Sequence, residues 1–477
     1  MFSIHNNSRI EKSIAEKITG LKMGEQSMSL FGLDEKTKLE RMDALKIAGK
    51  QARKKVPFSD QAMFVPVDRD PVAIVDEGNQ ERLPELLMLR RERMSASPFA
   101  FYRGTAGLMA HDLVSQAVTG KQVIICGDAH IGNFGFYASP ERRLIFDLND
   151  FDESALGPWE WDVRRLVTSV ILCGESLGFR EDQIDEAAMQ AAYSYRNGLR
   201  SVLSLDALGR FYLSIDEAEI QKILTKPIRK AFDKAAREAK KRTSGQVIKK
   251  LTEIDDRGRI RFTENPPVLT HVDAGMVSKV HEYFDQYRKN VAPDIALFLS
   301  QHILTDVARR VVGIGSVGTR CYLLVLTSTA SSHLVLQIKE AEPSAIKQYC
   351  PPDREALEFF SREASEGYRV VACQEILQAV SDPFLGYFQA NGRDFYVRQY
   401  RDMKGSVELE KLSATQLDKY VAGCGLLLAR AHAQSPNAAW IKGYMGKSDA
   451  FDRSMLDWSK AYAHQVQNDY ESFVKLD

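Results

Sequence analysis

Cys126-Gly-Asp128-Ala-His130-Ile-Gly-Asn133, followed by Leu144-Ile-Phe-Asp147-Leu-Asn-Asp150-Phe-Asp152, decides how this chain folds. The apolar run Val123-Ile-Ile-Cys126 reads as a short strand that leads straight into a Gly-Asp loop. Asp128 and Asn133 stand five apart in that loop. The spacing suits a carboxylate that orients an attacking hydroxyl and an amide oxygen that takes Mg²⁺. Far downstream, Gly313-Ile-Gly315-Ser316-Val-Gly318-Thr319 precedes two strand-like runs, Cys321–Leu326 and His333–Lys339, joined by a polar turn. In a dinucleotide-binding fold such glycines follow a strand and open a helix. Here a strand follows them. That order fits a loop folded over nucleotide phosphates, with Lys339 on the next-but-one strand to neutralise phosphate oxygens.

Taken alone, either motif has a plainer reading. Gly, Asn and Asp favour turns for local hydrogen-bonding reasons, and a glycine-rich hairpin with a surface lysine is common. Taken together they form a kinase-type set in the wrong order, because kinases carry the glycine loop first. The parts fit one site only if the fold is circularly permuted. The expected class is therefore α+β: a bilobal, protein-kinase-like fold with a small β-rich lobe inserted in a mainly helical large lobe. The expected boundaries are an N-terminal helical extension (1–60), a first part of the large lobe with the catalytic loop (61–305), a small nucleotide-binding lobe (306–405) and a second helical part (406–477).

Helical patterns cover Leu83–Met94, Trp159–Leu177, Glu181–Leu251, Met276–Val311, Arg354–Val380, Thr415–Gln434 and Asp449–Phe473. Phe384–Gln389 and Asp394–Tyr400 read as strands joined at Asn391-Gly392, a strong hairpin signal. The chain of 477 residues has balanced charge, 64 basic against 64 acidic residues, which argues against a general nucleic-acid binder. The basic stretch Arg229–Lys250 reads as a solvated helix face. Six scattered cysteines without a Cys-x-x-Cys pair suit reduced thiols. No run suits a signal peptide or a membrane span, so a soluble cytoplasmic protein with no membrane partner is expected.

Gly127-Asp128-x-His130-x-Gly132-Asn133 resembles the catalytic loop of aminoglycoside and choline phosphotransferases, and Asp150 to Asp162 is similar to their downstream acidic run. The resemblance implies Asp128, His130 and Asn133 as catalytic residues, with Asn133 and Asp150 on Mg²⁺ and Asp162 as a structural carboxylate under the loop. Asp147 is a rival for the metal, and Asp152 a possible second ligand. Cys126 replaces the first histidine of that motif. Leu426–His432 is similar to the helix that directly precedes the loop in those enzymes. ATP is then expected on Gly313, Gly315, Ser316, Gly318, Thr319 and Lys339, with adenine meeting backbone groups near Gln399 and Tyr400.

In kinases the lysine pairs with an acid on the next helix. Glu358, Glu363, Glu366 and Glu375 are the acidic candidates, and Glu366 and Gln374 are preferred. Arg103, Arg320 and Arg398 are further cations for phosphate or an anionic substrate, or equally for structural ion pairs.

More closely still, runs such as Ser97–Gly104, Phe146–Glu153, Gly157–Asp162, Gly315–Arg320 and Tyr396–Lys404 resemble the bacterial domain of unknown function numbered twenty-two fifty-two, across roughly residues 55–440. That resemblance implies a kinase-like fold and nucleotide binding, without a settled substrate. The expected activity is ATP- and Mg²⁺-dependent phosphotransfer to a hydroxyl of a small molecule or protein. The alternatives are AMP transfer at the same site and a nucleotide-binding pseudokinase with a regulatory role. Metal-dependent hydrolysis would leave the glycine loop without a purpose. One geometric consequence follows: Lys339 must face Asp150 across a shared cleft.

Overall fold

A computed structural model describes residues 35–217, 226–328, 332–350 and 365–475. Its strands in chain order are β1 (Gln122–Ile125), β2 (Phe134–Ala138), β3 (Leu144–Leu148), β4 (Ala155–Pro158), β5 (Thr252–Ile254), β6 (Ile260–Phe262), β7 (Leu269–His271), β8 (His302–Arg310), β9 (Cys321–Ser328), β10 (His333–Ala341), β11 (Gly386–Ala390) and β12 (Arg393–Gln399). The last six form one antiparallel sheet in the order β11-β12-β10-β9-β8-β7. The pairs β1–β4, β2–β3 and β5–β6 are separate two-stranded ladders. The architecture is α+β.

The sheet follows from its sequence pattern. Asn391 and Gly392 both take positive φ (53° and 71°), the requirement of a tight hairpin turn, and they join β11 to β12. Along β10 the side chains alternate between faces. Leu334, Leu336 and Ile338 pack with Val280, Tyr283, Phe284 and Tyr287 of the helix Ala274–Lys289. Val335 turns to the other face and packs with Val247 and Phe262, beside Gln337 and Lys339 in the same alternation.

The main core draws on chain segments on both sides of the sheet. The helix Ala414–His432 opens with a reciprocal capping box between Ser413 and Gln416. It packs along Glu181–Val202 and touches Trp159–Ser176. The last helix, Ala450–Val474, also packs on Trp159–Ser176. Trp159, Val163, Leu166, Leu199, Leu417, Leu428 and Trp458 are all buried in this one cluster, each such side chain stabilising by roughly 1.5–3 kcal/mol.

Some expectations are corrected. Residues 302–310 are strand, not the end of a helix: Pro293–Leu299 is a short separate helix, and β8 then pairs with β9 along most of its length. Because β7 and the helices at 274–299 pack on the sheet, that layer begins near Leu269, ahead of residue 306. The stretch 181–251 is broken into separate helices, and a small β5–β6 hairpin follows it. The first 34 residues, and residues 354–364 of the helix expected after Lys339, lie outside the described residues. No helix among the described residues is long and apolar enough to cross a membrane.

Candidate functional site

One face of the helix Trp159–Ser176 builds the Gly-Asp loop. Positions 162, 165 and 169 are three and then four residues apart, so they lie on the same side of a helix. Asp162 accepts from the amides of Cys126 (2.7 Å) and Gly127 (2.9 Å). Arg165 donates to Asp128 Oδ1 at 2.8 Å. Ser169 Oγ accepts from the Ile131 amide at 3.0 Å. His432, at the end of its helix, meets Asp162 through Nε2 at 3.1 Å and the Tyr195 hydroxyl through Nδ1 at 2.8 Å. Gly127 is obligatory: its φ is +76°, and a Cβ there would stand 2.2 Å from the Glu153 carbonyl.

Within this loop, Asp128 is partly exposed, and its other oxygen lies 3.6 Å from His130 Nε2. Burial raises the Asp128 pKa above the usual carboxylate range, against the pull of Arg165 and Arg103. Burial, with the Arg103 and Arg165 charges, lowers the His130 pKa far below its ordinary value, so the ring is neutral. Asn133 Nδ2 donates to the carbonyls of Asp128 and Asp150, each at 3.0 Å, and lies 3.4 Å from Cys126 Sγ. Cys126 thus packs under the loop.

The acidic strand meets the sheet at Lys339. Its Nζ is 4.0 Å from Asp150 Oδ1, donates to Asp152 Oδ2, and donates to Ser316 Oγ at 2.8 Å. The two signatures therefore share one cleft. Asp152 is the lysine's closer counter-ion, and it also accepts from the Tyr396 hydroxyl (2.9 Å) on the neighbouring strand. Burial would raise the Asp152 pKa, but the Lys339 ammonium holds it well below the usual range.

Neither preferred partner on the helix Glu366–Leu377 reaches the lysine. Glu366 pairs with Lys347 and Arg369, and Gln374 donates to Gln378. Asp147 is also not at the cleft. It is buried on β3, where its oxygens accept from the Leu148 and Ala379 amides and face Arg430 at 3.7 Å. Turned to these partners, Asp147 lines neither of the two cavities at the cleft.

Asp150 and Asn133 do fit a cation. Asp150 Oδ1 is a buried oxygen with no hydrogen-bond partner. Both residues line two adjoining cavities, of about 520 and about 440 Å³, where they meet. No cluster of three His, Cys, Asp or Glu side chains suited to a metal exists among the described residues. Mg²⁺ asks for no such cage, since one or two protein oxygens plus phosphates and waters suffice.

The glycine loop, between β8 and β9, is held through its carbonyls. Arg93 donates to Gly313 O (2.6 Å), Arg90 to Ile314 O (3.1 Å) and Gly315 O (2.9 Å), and Arg82 to Val317 O (2.7 Å). The Ser316 carbonyl accepts from Thr319, and the Gly318 carbonyl from the Leu83 amide. Ser316 also donates to Asp152 at 3.2 Å.

At the end of β12, Gln399 and Tyr400 line the larger cavity, but their amides are already donated, to Asp382 Oδ2 and the Val335 carbonyl. Of the extra cations, Arg320 is bound to Glu340, Arg103 reaches the smaller cavity, and Arg398 the larger. Sequence reasoning passed over Arg165, His432, Tyr396 and Lys404. Only Arg165 carried a readable signal, its three-residue spacing from Asp162.

Residues 82–476 match the family described as uncharacterized protein conserved in bacteria (DUF2252), and the chain belongs to that family. No curated protein and no solved structure matches it.

Proposed function

We propose that this family member is an ATP- and Mg²⁺-dependent transferase that moves a phosphorus group onto a hydroxyl acceptor, with a permuted kinase-like arrangement of its parts. The observation that carries the reading is the meeting of Lys339 with Asp150 and Asp152 beside Asp128, although sequence separates them widely. The strand order also supports it. The glycine loop joins the first two strands of β8-β9-β10, Lys339 sits on the third, and the β11–β12 hairpin closes on that third strand.

Asp128 takes the acceptor's proton, and Arg165 fixes its carboxylate in place. Lys339 neutralises phosphate oxygens once they displace Asp152 and Ser316 from its ammonium. Mg²⁺ held by Asp150 and Asn133 would offset negative charge on the phosphates. Phosphorus-group transfer needs mainly such positioning and charge neutralisation.

ATP with Mg²⁺ should raise the melting temperature of the full chain. Asp128→Asn should keep that shift and cut ATP turnover by about 10²-fold or more. Lys339→Met should abolish the shift. Absence of any shift in the wild type would remove the nucleotide reading. Unchanged turnover in Asp128→Asn would remove the base assignment.

A further inference from the structure

The larger cavity is lined by more cations than acids, which suits phosphates better than an uncharged base. On the inner face of the sheet, the apolar positions Ala308, Leu323, Val325 and Val335 are already covered by Val247 and Phe262. What the paired strands β10 and β12 leave open to the cavity is Gln337, Lys339, Arg398 and Gln399. Arg310, Arg401 and Lys404 line it as well.

Apart from Lys339, which pairs with Asp152, these cations make no ion pair among the described residues. Arg398 donates to the neutral Gln337 amide oxygen (2.9 Å), and Lys404 to the Asn149 carbonyl (3.2 Å). Arg310 Nε is buried with no partner. Of the acids lining the cavity, Asp150 lies at its junction with the smaller one, 4.0 Å from Lys339, Asp382 is bound to the Phe384 and Gln399 amides, and Asp402 to Arg142. Enclosed cations without partners are costly unless an anion joins them.

We propose that the larger cavity seats the triphosphate, so that the nucleotide enters phosphates first and presents its α-phosphorus at the Asp150–Asn133 junction. This rests on the nucleotide reading above and specifies which group moves. The base then lies in the smaller cavity, whose wall includes Ile74, Leu108 and Tyr349, and which also gives the acceptor access to Asp128. The acceptor oxygen forms a bond to the α-phosphorus. The bond from that phosphorus to the bridging oxygen of the β-phosphate breaks, and pyrophosphate leaves with the electron pair. The acceptor's proton goes to Asp128. The product is an AMP ester.

Two measurements test this on the full chain. In calorimetry, sodium tripolyphosphate should bind and adenosine should not. Arg310→Ala, which orphans no carboxylate, should weaken tripolyphosphate at least tenfold, and Tyr349→Ala should weaken ATP but leave tripolyphosphate unchanged. In transfer assays, label from α-³²P-ATP should become fixed to protein or acceptor, with pyrophosphate released. Transfer of γ-label, or adenosine binding without tripolyphosphate binding, would overturn the phosphates-first orientation and leave the transferase reading standing. Failure of both ATP and tripolyphosphate to bind would overturn both.

Discussion

Two loops of this protein follow strands and face the same cleft, yet they are tied down differently. The Gly-Asp loop is held through both ends of its peptide groups: the Cys126, Gly127 and Ile131 amides donate to Asp162 and Ser169, and the Cys126, Asp128 and Ile131 carbonyls accept from Ser154, Asn133 and Tyr420. The glycine loop is held through its carbonyls, which accept from Arg82, Arg90, Arg93 and the Leu83 amide. A loop pinned at both ends of its peptide groups presents side chains, and here those are Asp128 and Asn133. A loop held mainly by its carbonyls keeps some amide donors in reserve, although those of Val317 and Thr319 already bond within it, and such a disposition suits an anion. In the proposed transferase the first loop would be the reacting side of the cleft and the second the phosphate-holding side.

Breaking the first tether should have the largest effect. Asp162→Ala leaves two buried amides and His432 without their acceptor, at a cost of about 3–5 kcal/mol. Chemical denaturation should show it as a lower midpoint. Arg90→Ala should cost less, about 1–3 kcal/mol, because solvent can partly replace donors at a loop. Hydrogen exchange should then quicken at 313–319 and stay unchanged at 126–133. If both loops loosen together, they are one unit and the contrast fails.

Lys339→Met comes next, at about 2 kcal/mol at neutral pH, since it strands the Asp152 carboxylate. In the wild type the depressed Asp152 pKa contributes stability above the ordinary carboxylate range. That contribution is lost as pH falls through the folded value. The Met variant should lose less stability on acidification, because burial then raises the Asp152 pKa against only the weaker pulls of Arg398 and Tyr396.

The reacting side was largely legible in the sequence, since its motif lies within one short segment and Asp162 supports it from the next helix. The sheet side was less so. In His302–Arg310 the apolar residues 303, 304 and 307 suit a helix face almost as well as a strand, and only pairing with β9 decides between them. Three aspartates crowd Asp147–Asp152, and sequence gives no means of seeing that β3 turns Asp147 inward to Arg430 while Asp152 takes the lysine. The arginine tethers come from a segment more than two hundred residues upstream, and such contacts have no local signature. Arg90 and Arg93 do share a helix face by their spacing, but a basic face more often meets water.

The smallest effect sharpens the phosphate side most. Burial and the nearby Arg398 lower the Lys404 pKa to about 7, while Asp150 opposes them; Lys339 and Asp152 contribute in the same field. Lys404 is thus charged at pH 6 and largely neutral at pH 8.5. If the larger cavity holds a polyphosphate, tripolyphosphate affinity should fall severalfold across that range. The ligand's own titration runs the other way, because its terminal phosphates lose protons and gain negative charge as pH rises. A falling affinity must therefore come from the protein. Asp382, pushed up to about 6 by burial, lines the same cavity and gains negative charge over part of the range, so it acts in the same direction. Lys404→Gln should flatten the upper part of the profile and Asp382→Asn the lower. An affinity that rises with pH in the wild type would mean that neither group faces the bound phosphates.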